Sequence, residues 1–342
     1  MQPPEPAAPT AVHRPQRILL LGATGTIGWA TAGLLSHHGY DVVCLLRPRS
    51  GATGPTPPEQ QLNSLAGTTL RYGELTDAER LSRGALKNEK FDAVISCMAS
   101  RTGNPKDAWR VDYQANLVAL QAAQAAGAQQ FVLLSAICVQ KPMLEFQRAK
   151  LAFEEALMQS GLVFSIVRPT AFFKSLSGQL ERVKNGKPFL LFGDGQLTAC
   201  KPISDDDLAD YLVGCLTEPL RHNRILPIGG PGPAITPLQQ GQYLFQVLGK
   251  APRFRRVPLG LMDLIVGVLS LAGQLLPRLS DKAELARIGR YYATESMLVW
   301  DAEANRYDED KTPSHGTQTL LSAYEAWATG EKAPERGDHA VF

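Results

Sequence analysis

The sequence predicts a doubly wound α/β fold, a parallel sheet with helices on both faces, followed by a smaller C-terminal part. Three observations predict it. Short, unbroken aliphatic runs such as Arg17–Leu21 and residues 91–96 read as strands buried on both faces. They alternate with helical segments at a steady rhythm through the first half of the 342 residues. The first run leads straight into Gly22-Ala23-Thr24-Gly25-Thr26-Ile27-Gly28, a glycine turn that opens a helix.

Each element has a local cause. Residues 1–16 are rich in proline and alanine and lack the apolar core of a secretory signal. They are also short and acidic for a transit peptide, so a disordered tail is expected. After the first strand a helix spans 26–38, closed by His37-His38 before Gly39, where a cation suits the helix dipole. Residues 40–46 form the second strand, ending at Arg47, and the proline-rich stretch 48–61 reads as a mobile loop. A third strand (68–72) leads through Gly73-Glu74-Leu75-Thr76-Asp77 into a helix, and residues 91–96 are the fourth strand. A long helix over 107–126 carries Val111, Ala115, Leu117, Val118 and Ala122 as its apolar stripe. The fifth strand covers 130–135, a helix covers 143–160 up to Gly161, and the sixth strand covers 162–167.

Beyond Arg168-Pro169-Thr170 the pattern loosens. Phe189–Phe192 and Arg224–Ile228 read as strands. Ser204-Asp205-Asp206-Asp207 reads as an N-cap with an acidic first turn rather than a metal site, because Leu208, Ala209, Leu212 and Val213 continue a helix. Residues 259–277 are the most hydrophobic stretch, with Asp263 their only charge before the closing Pro277. Asp263, three glycines and Pro277 argue against a membrane span. A buried helix, a lid over an apolar substrate and a helix lying on a membrane surface remain as readings. The tail after Asp301 is charged, with one helical piece over 320–327. The expected division is a dinucleotide-binding domain over 17–225 and a substrate-binding or lid region over 226–310, to which 170–200 contribute. A tail over 311–342 completes it.

Composition narrows the function. A formal net charge of +2 lacks the concentrated basic surface of a nucleic-acid protein. The five cysteines are scattered without a C-x-x-C pair, and the six histidines lack ligand spacing. Neither a disulfide framework nor a metal site is expected, and a reducing cytosol fits best.

The chemistry starts at the glycine turn. Gly22 lets the chain leave the strand sharply, Gly25 lets backbone approach a diphosphate, and Gly28 lets the helix lie close on the sheet. The free N–H groups of the helix then face the phosphates. Gly22, Thr24, Gly25, Thr26, Ile27 and Gly28 are therefore expected cofactor contacts. Glu74 and Leu75 after the third strand, and Pro169 and Thr170 at the sixth, are expected contacts at the carboxyl ends of the strands. At the end of the second strand an NAD-preferring protein would place an acid on the adenine ribose. Here Arg47 stands there, with Arg49 and Ser50 behind it, which suits a 2′-phosphate and favours NADPH.

The G-x-x-G-x-x-G spacing resembles that of the extended and atypical short-chain dehydrogenase/reductases. In such reductases a Tyr-x-x-x-Lys pair sits on the helix after the fifth strand, both side chains on one face. The matching residues are Phe146-Gln147-Arg148-Ala149-Lys150. Phe146 cannot donate a proton, so ordinary carbonyl reduction lacks its acid. Lys150 can hold ribose hydroxyls or donate a proton, or it is a solvated helix lysine. Ser135 ends the fifth strand, either as a site residue or as a strand-end serine satisfying backbone. Phe146, Lys150 and Ser135 are the candidate catalytic positions.

Residues 134–142, LSAICVQKP, run into LEFQRAK at 144–150; with RPTAFFKSL at 168–176 and FGDG at 192–195 they resemble the signature of the NADPH-dependent 3,8-divinyl chlorophyllide 8-vinyl reductases. These are NmrA-like atypical reductases, and the similarity runs from about residue 17 to about residue 310. The resemblance implies reduction of the 8-vinyl group of a divinyl chlorophyllide or protochlorophyllide to ethyl, with the tyrosine normally absent. It implies a flat magnesium-tetrapyrrole substrate for an apolar pocket, and a cytosolic protein with peripheral membrane contact as one reading. Two readings compete: an alkene reductase of the isoflavone-reductase type, and a non-catalytic NADP-sensing regulator or accessory subunit.

Overall fold

The aliphatic runs pair as neighbours in one sheet. The computed structural model describes residues 16–47, 65 and 67–330. Its first elements are β1 (Arg17–Leu21), α1 (Thr26–His37), β2 (Asp41–Leu46), β3 (Thr69–Tyr72), α2 (Ala78–Arg83) and β4 (Ala93–Ser96). Next come α3 (Pro105–Ala108), a π-helical turn (Trp109–Ala115), α4 (Asn116–Ala125), β5 (Gln130–Leu134), α5 (Glu145–Met158) and β6 (Val163–Pro169). The second half begins with α6 (Phe173–Leu176), α7 (Leu180–Lys184), β7 (Phe189–Phe192), α8 (Asp205–Gly214) and β8 (Arg224–Ile228). It continues with α9 (Pro237–Val247), β9 (Phe254–Val257), α10 (Leu259–Leu275) and α11 (Pro277–Thr294). A hairpin of β10 (Val299–Asp301) and β11 (Arg306–Asp308) and the helix α12 (Leu320–Thr329) end the described chain.

Seven strands form a sheet in the order β3-β2-β1-β4-β5-β6-β8, and every neighbouring pair is parallel. Successive side chains of β1 go to opposite faces, as a two-residue period requires. Ile18 and Leu20 join a core with α1 and α8, whereas Leu19 and Leu21 join one with α2, α4 and α5. The strand order reverses between β1 and β4, and the crevice at that switch point is where such sheets bind ligands.

A second body of packing lies beyond the sheet. Phe173, Phe189, Leu244, Tyr324 and Trp327 form a core from α6, β7, α9 and α12, and β7 pairs in parallel with β9. A smaller cluster of Ala108, Ile137, Cys138, Phe146, Ile288 and Tyr291 ties α11 to the start of α5.

The structure departs from the sequence expectations in instructive places. The helix expected over 107–126 is broken by the π turn into α3 and α4. The fourth strand begins at Ala93, because Phe91 is already bonded from its N–H to Ala126 O at 3.3 Å. β8 is the seventh strand of the sheet, so the expected boundary at 225 falls inside it. The segment after 301 forms a hairpin, and α12 buries Tyr324 and Trp327, so residues up to 330 are no loose tail. Residues 1–15, the whole of the loop expected over 48–61 with Arg49 and Ser50, residues 62–64 and 66, and 331–342 lie outside the described residues.

Candidate active site

The glycine loop sits at the β1/β4 switch point. Gly22 has φ +77°, and a Cβ there would come within 2.7 Å of the Cys97 carbonyl group, so glycine is required. Gly28 is required for a reason other than the expected one. Its Cβ would lie 2.2 Å from Gly22 O, so it lets the helix pass the loop's own backbone rather than the sheet. At Gly25 a Cβ would meet protein no closer than Gly22 O at 3.4 Å. Thr24 and Gly25 are exposed, α1 has no side-chain cap at its Gly25 N-cap, and its first turn carries no acid. N–H groups without a side-chain cap at the positive end of a 12-residue helix, beside the exposed Thr24 and Gly25, make a cradle for a diphosphate. The residues present fit a dinucleotide.

One cation reaches this loop from far along the chain. Lys174 Nζ donates to Thr26 Oγ1 at 2.8 Å. Its neighbourhood includes Asp205, the first residue of α8, whose Oδ1 is buried without a hydrogen-bond partner. Burial pushes the Asp205 carboxyl up to about 6, although the Lys174 charge works against the rise and Asp206 adds to it. Ser204 caps α8 as expected, accepting from Asp207 N at 3.0 Å, and the Asp207 carboxylate receives Gln318 N at 3.0 Å.

Arg47 opens the adenosine end. It lines a cleft of about 440 Å³ together with Ala99, Arg101, Lys106, Asp107 and Arg110 from the connection after β4. Desolvation, and then the charge of Arg101, hold the Arg47 guanidinium below its ordinary value; Arg110 adds to this and Asp107 opposes it. Several guanidinium groups converging on one cleft, with Asp107 the single acid among the described residues lining it and paired to Arg110 at 2.7 Å, invite an anion. Gly73 N bonds Leu46 O at 3.0 Å, which brings Glu74 and Leu75 to the same edge of the sheet as Arg47. Glu74 is exposed there, and Leu75 packs onto the α2 side of the core. Pro169 ends β6; Thr170 is buried, its N–H bonding Ile228 O at 2.9 Å and its hydroxyl donating to Lys201 O.

Phe146 and Lys150 lie one turn apart on α5, as their spacing requires. Lys150 is not a solvated lysine: its Nζ is 2.9 Å from Asp112 Oδ1, with side chains 12% and 0% exposed. Asp112 stands on the π turn and also receives Ser100 N at 3.2 Å, while its Oδ2 has no partner. Phe146 is buried among Ile137, Cys138, Ile288 and Tyr291. Cys138 lies between α5 and α11: its thiol is pushed up by burial, feels the Lys150 charge, and receives the Tyr292 hydroxyl at 4.0 Å.

Ser135 is placed differently from a free site hydroxyl. Its Oγ donates to Glu154 Oε1 at 2.5 Å, and the buried Glu154 is paired with Arg168. The hydroxyl proton is thus committed to a strut joining β5, α5 and β6. The sequence pattern did not single out Asp112, the placing of Asp205 near Lys174 or the role of Lys174. Their partners lie far along the chain, and no spacing rule connects them.

The family described as NAD(P)H-binding matches residues 22–219. The chain is 48% identical over 333 residues to the divinyl chlorophyllide a 8-vinyl-reductase, chloroplastic, of Cucumis sativus, covering 95% of this chain and 79% of that protein. It is 27% identical over 214 residues to the photosystem II assembly factor Ycf39 of Guillardia theta, covering 62% of this chain and 64% of that one. Among solved structures, the leucoanthocyanidin reductase–NADPH complex from Vitis vinifera superposes with a TM-score of 0.65 at 16% identity, over 92% of this chain and 99% of that one. That likeness is one of fold. With a dinucleotide cradle at the switch point and a relative of this identity along nearly its whole length, the chain belongs to the NAD(P)H-binding family and, within it, to the divinyl chlorophyllide a 8-vinyl-reductases.

Proposed function

We infer that this chain reduces the 8-vinyl group of a 3,8-divinyl chlorophyllide or protochlorophyllide to an ethyl group with NADPH. The observation that carries the reading is an anchored Lys150 beside Phe146, in a chain 48% identical to a protein bearing that name. NADPH supplies the hydride, and a proton from water completes the ethyl group. A vinyl group conjugated to a macrocycle can spread the resulting charge, so it has less need of a phenol acid than a ketone does.

On this reading the loop Gly22, Thr24, Gly25, Thr26, Ile27 and Gly28 cradles the diphosphate, and Arg47 meets the 2′-phosphate. Glu74, Leu75, Pro169 and Thr170 border the cofactor from neighbouring strand ends. Lys150 is a positioning group: Asp112 fixes one of its three donors, and the others can hold ribose hydroxyls. The low similarity to the assembly factor, against 48% to the reductase, favours turnover over a sensing or accessory role. The isoflavone-reductase type shares the fold and is separated by its substrate.

The test is incubation with NADPH and divinyl chlorophyllide, followed by mass analysis. A gain of two hydrogens supports the reading, and unchanged pigment overturns it.

We further propose that the protein touches a membrane surface through α10. Among the described residues no helix is long and apolar enough to cross a membrane. Leu261, Leu264, Ile265, Val268 and Leu271 nevertheless leave one face of α10 exposed.

A further inference from the structure

Lys174 is the one cation described at the cradle to which the reading above gives no task. Its backbone is fixed. Phe173 N bonds Ile203 O at 3.3 Å, Phe173 is buried in the second core, and Ser177 Oγ donates to Lys174 O at 2.8 Å. The side chain itself is half-buried and ends on a neutral hydroxyl at the first residue of α1. Asp205 lies near enough to feel its charge, but among the described residues Lys174 makes no ion pair within 4.0 Å. A hydroxyl is a weak partner for an ammonium group, whereas a diphosphate forms charge-assisted bonds roughly twice as strong as neutral ones.

We propose that Lys174 pairs with the diphosphate of the bound dinucleotide, exchanging its contact with Thr26 for one with the phosphates. The anion is then held from two directions. The N–H groups of α1 meet it from the sheet side, and an ammonium on the segment after β6 meets it from the C-terminal part. The segment 170–176 thereby supplies one side of the cofactor site. This rests on dinucleotide binding and not on which alkene is reduced. A failure here leaves the vinyl-reductase reading standing, and the reverse holds too. The rival role for Lys174 is a contact with the carboxylate of the pigment.

The experiment compares the full-length protein with Lys174→Met, which keeps the stem and removes the charge, and Lys174→Arg, which keeps the charge. NADPH binding is measured by titration calorimetry, and 2′-AMP serves as a probe that carries the 2′-phosphate without a diphosphate. The expected result for Lys174→Met is a 10- to 100-fold weaker NADPH Kd, of the order that losing a hydrogen bond to a charged group produces. Its 2′-AMP binding should match the unmodified protein, and Lys174→Arg should retain most of the NADPH affinity. If Lys174→Met fails to bind 2′-AMP, the site has not folded, and Lys174→Gln takes its place under the same criteria. A NADPH Kd within twofold of the unmodified protein overturns the proposal. That result together with a raised pigment KM assigns Lys174 to the pigment carboxylate.

Discussion

Lys150 and Asp112 behave as one unit, and this changes how either can be probed. Asp112 is buried and Lys150 partly so, and breaking a buried pair by removing one partner costs up to about 3–5 kcal/mol because the other charge is left without compensation. Lys150→Ala should therefore lose stability as well as function, seen as a lower urea midpoint. Lys150→Met combined with Asp112→Asn should recover most of the midpoint while turnover stays low. If the double variant is as unstable as Lys150→Ala, the pairing argument fails. Arg47 invites a cleaner test, because it faces the cleft rather than the core. Arg47→Ala should weaken NADPH by the worth of a charged hydrogen bond, about 1.5–3 kcal/mol, and leave NADH nearly unchanged. Equal binding of the two cofactors by the unmodified protein would contradict that role. Asp205 adds a pH effect. Its carboxyl is raised to about 6 in the folded protein, chiefly by burial, so the folded state binds a proton that the unfolded chain has released. Its contribution to stability is therefore greatest below the unfolded value and is lost as pH rises through about 6. Asp205→Asn should remove that trend, which amounts to at most about 3 kcal/mol between pH 4 and pH 7. Parallel pH profiles of urea stability for the two proteins would refute it.

At the scale of elements, legibility followed the range of the interactions. β1, β2 and β5 announce themselves because strands buried on both faces are continuous aliphatic runs, and the glycine loop because its geometry is set by adjacent residues. β9 reads Phe-Arg-Arg-Val and exists because β7 pairs with it, a cause 65 residues away by the register Phe189↔Phe254. The π turn is equally invisible, since Trp109–Ala115 carries an ordinary helical pattern; its effect is to hold Asp112 against Lys150. The same holds for the candidate site, where the loop and the Phe146/Lys150 pair were legible. Lys174 was not, because Thr26 lies 148 residues away. α12 shows the opposite error: a charged neighbourhood suggested a tail, but Tyr324 is fully buried and its hydroxyl donates to Leu176 O at 2.9 Å. Tyr324→Ala should destabilise the protein by about 3–5 kcal/mol, as large aromatic truncations in cores do. A shift of the urea midpoint worth less than about 1 kcal/mol would mean that α12 is an appendage.

At the scale of the whole molecule, the unusual feature is an apolar helix whose outer face no other described residue covers. α11 packs on the inner side of α10, with Arg290 Nε 2.6 Å from Asp263 Oδ1 and Arg287 Nη2 2.8 Å from Ser270 Oγ. The outer face shows Leu261, Leu264, Ile265, Val268 and Leu271, each 44–68% exposed. Their spacing makes one stripe along a helix roughly 26 Å long. Arg255 and Arg256 stand exposed on β9 just before it. An apolar stripe with cations beside it suits the plane of an anionic lipid surface, where the leucines enter the acyl boundary and the arginines meet headgroups. The expected behaviour is co-flotation with vesicles containing anionic lipid and release by high salt, with much weaker binding to neutral vesicles. Leu264→Ser with Val268→Ser and Leu271→Ser should abolish flotation and leave NADPH affinity unchanged, since none of the three touches the dinucleotide cradle. Retained flotation by the triple variant would show that another surface makes the contact. Concentration-dependent dimers of the unmodified protein in sedimentation, lost in the triple variant and accompanied by no flotation, would show that a second copy covers α10 instead.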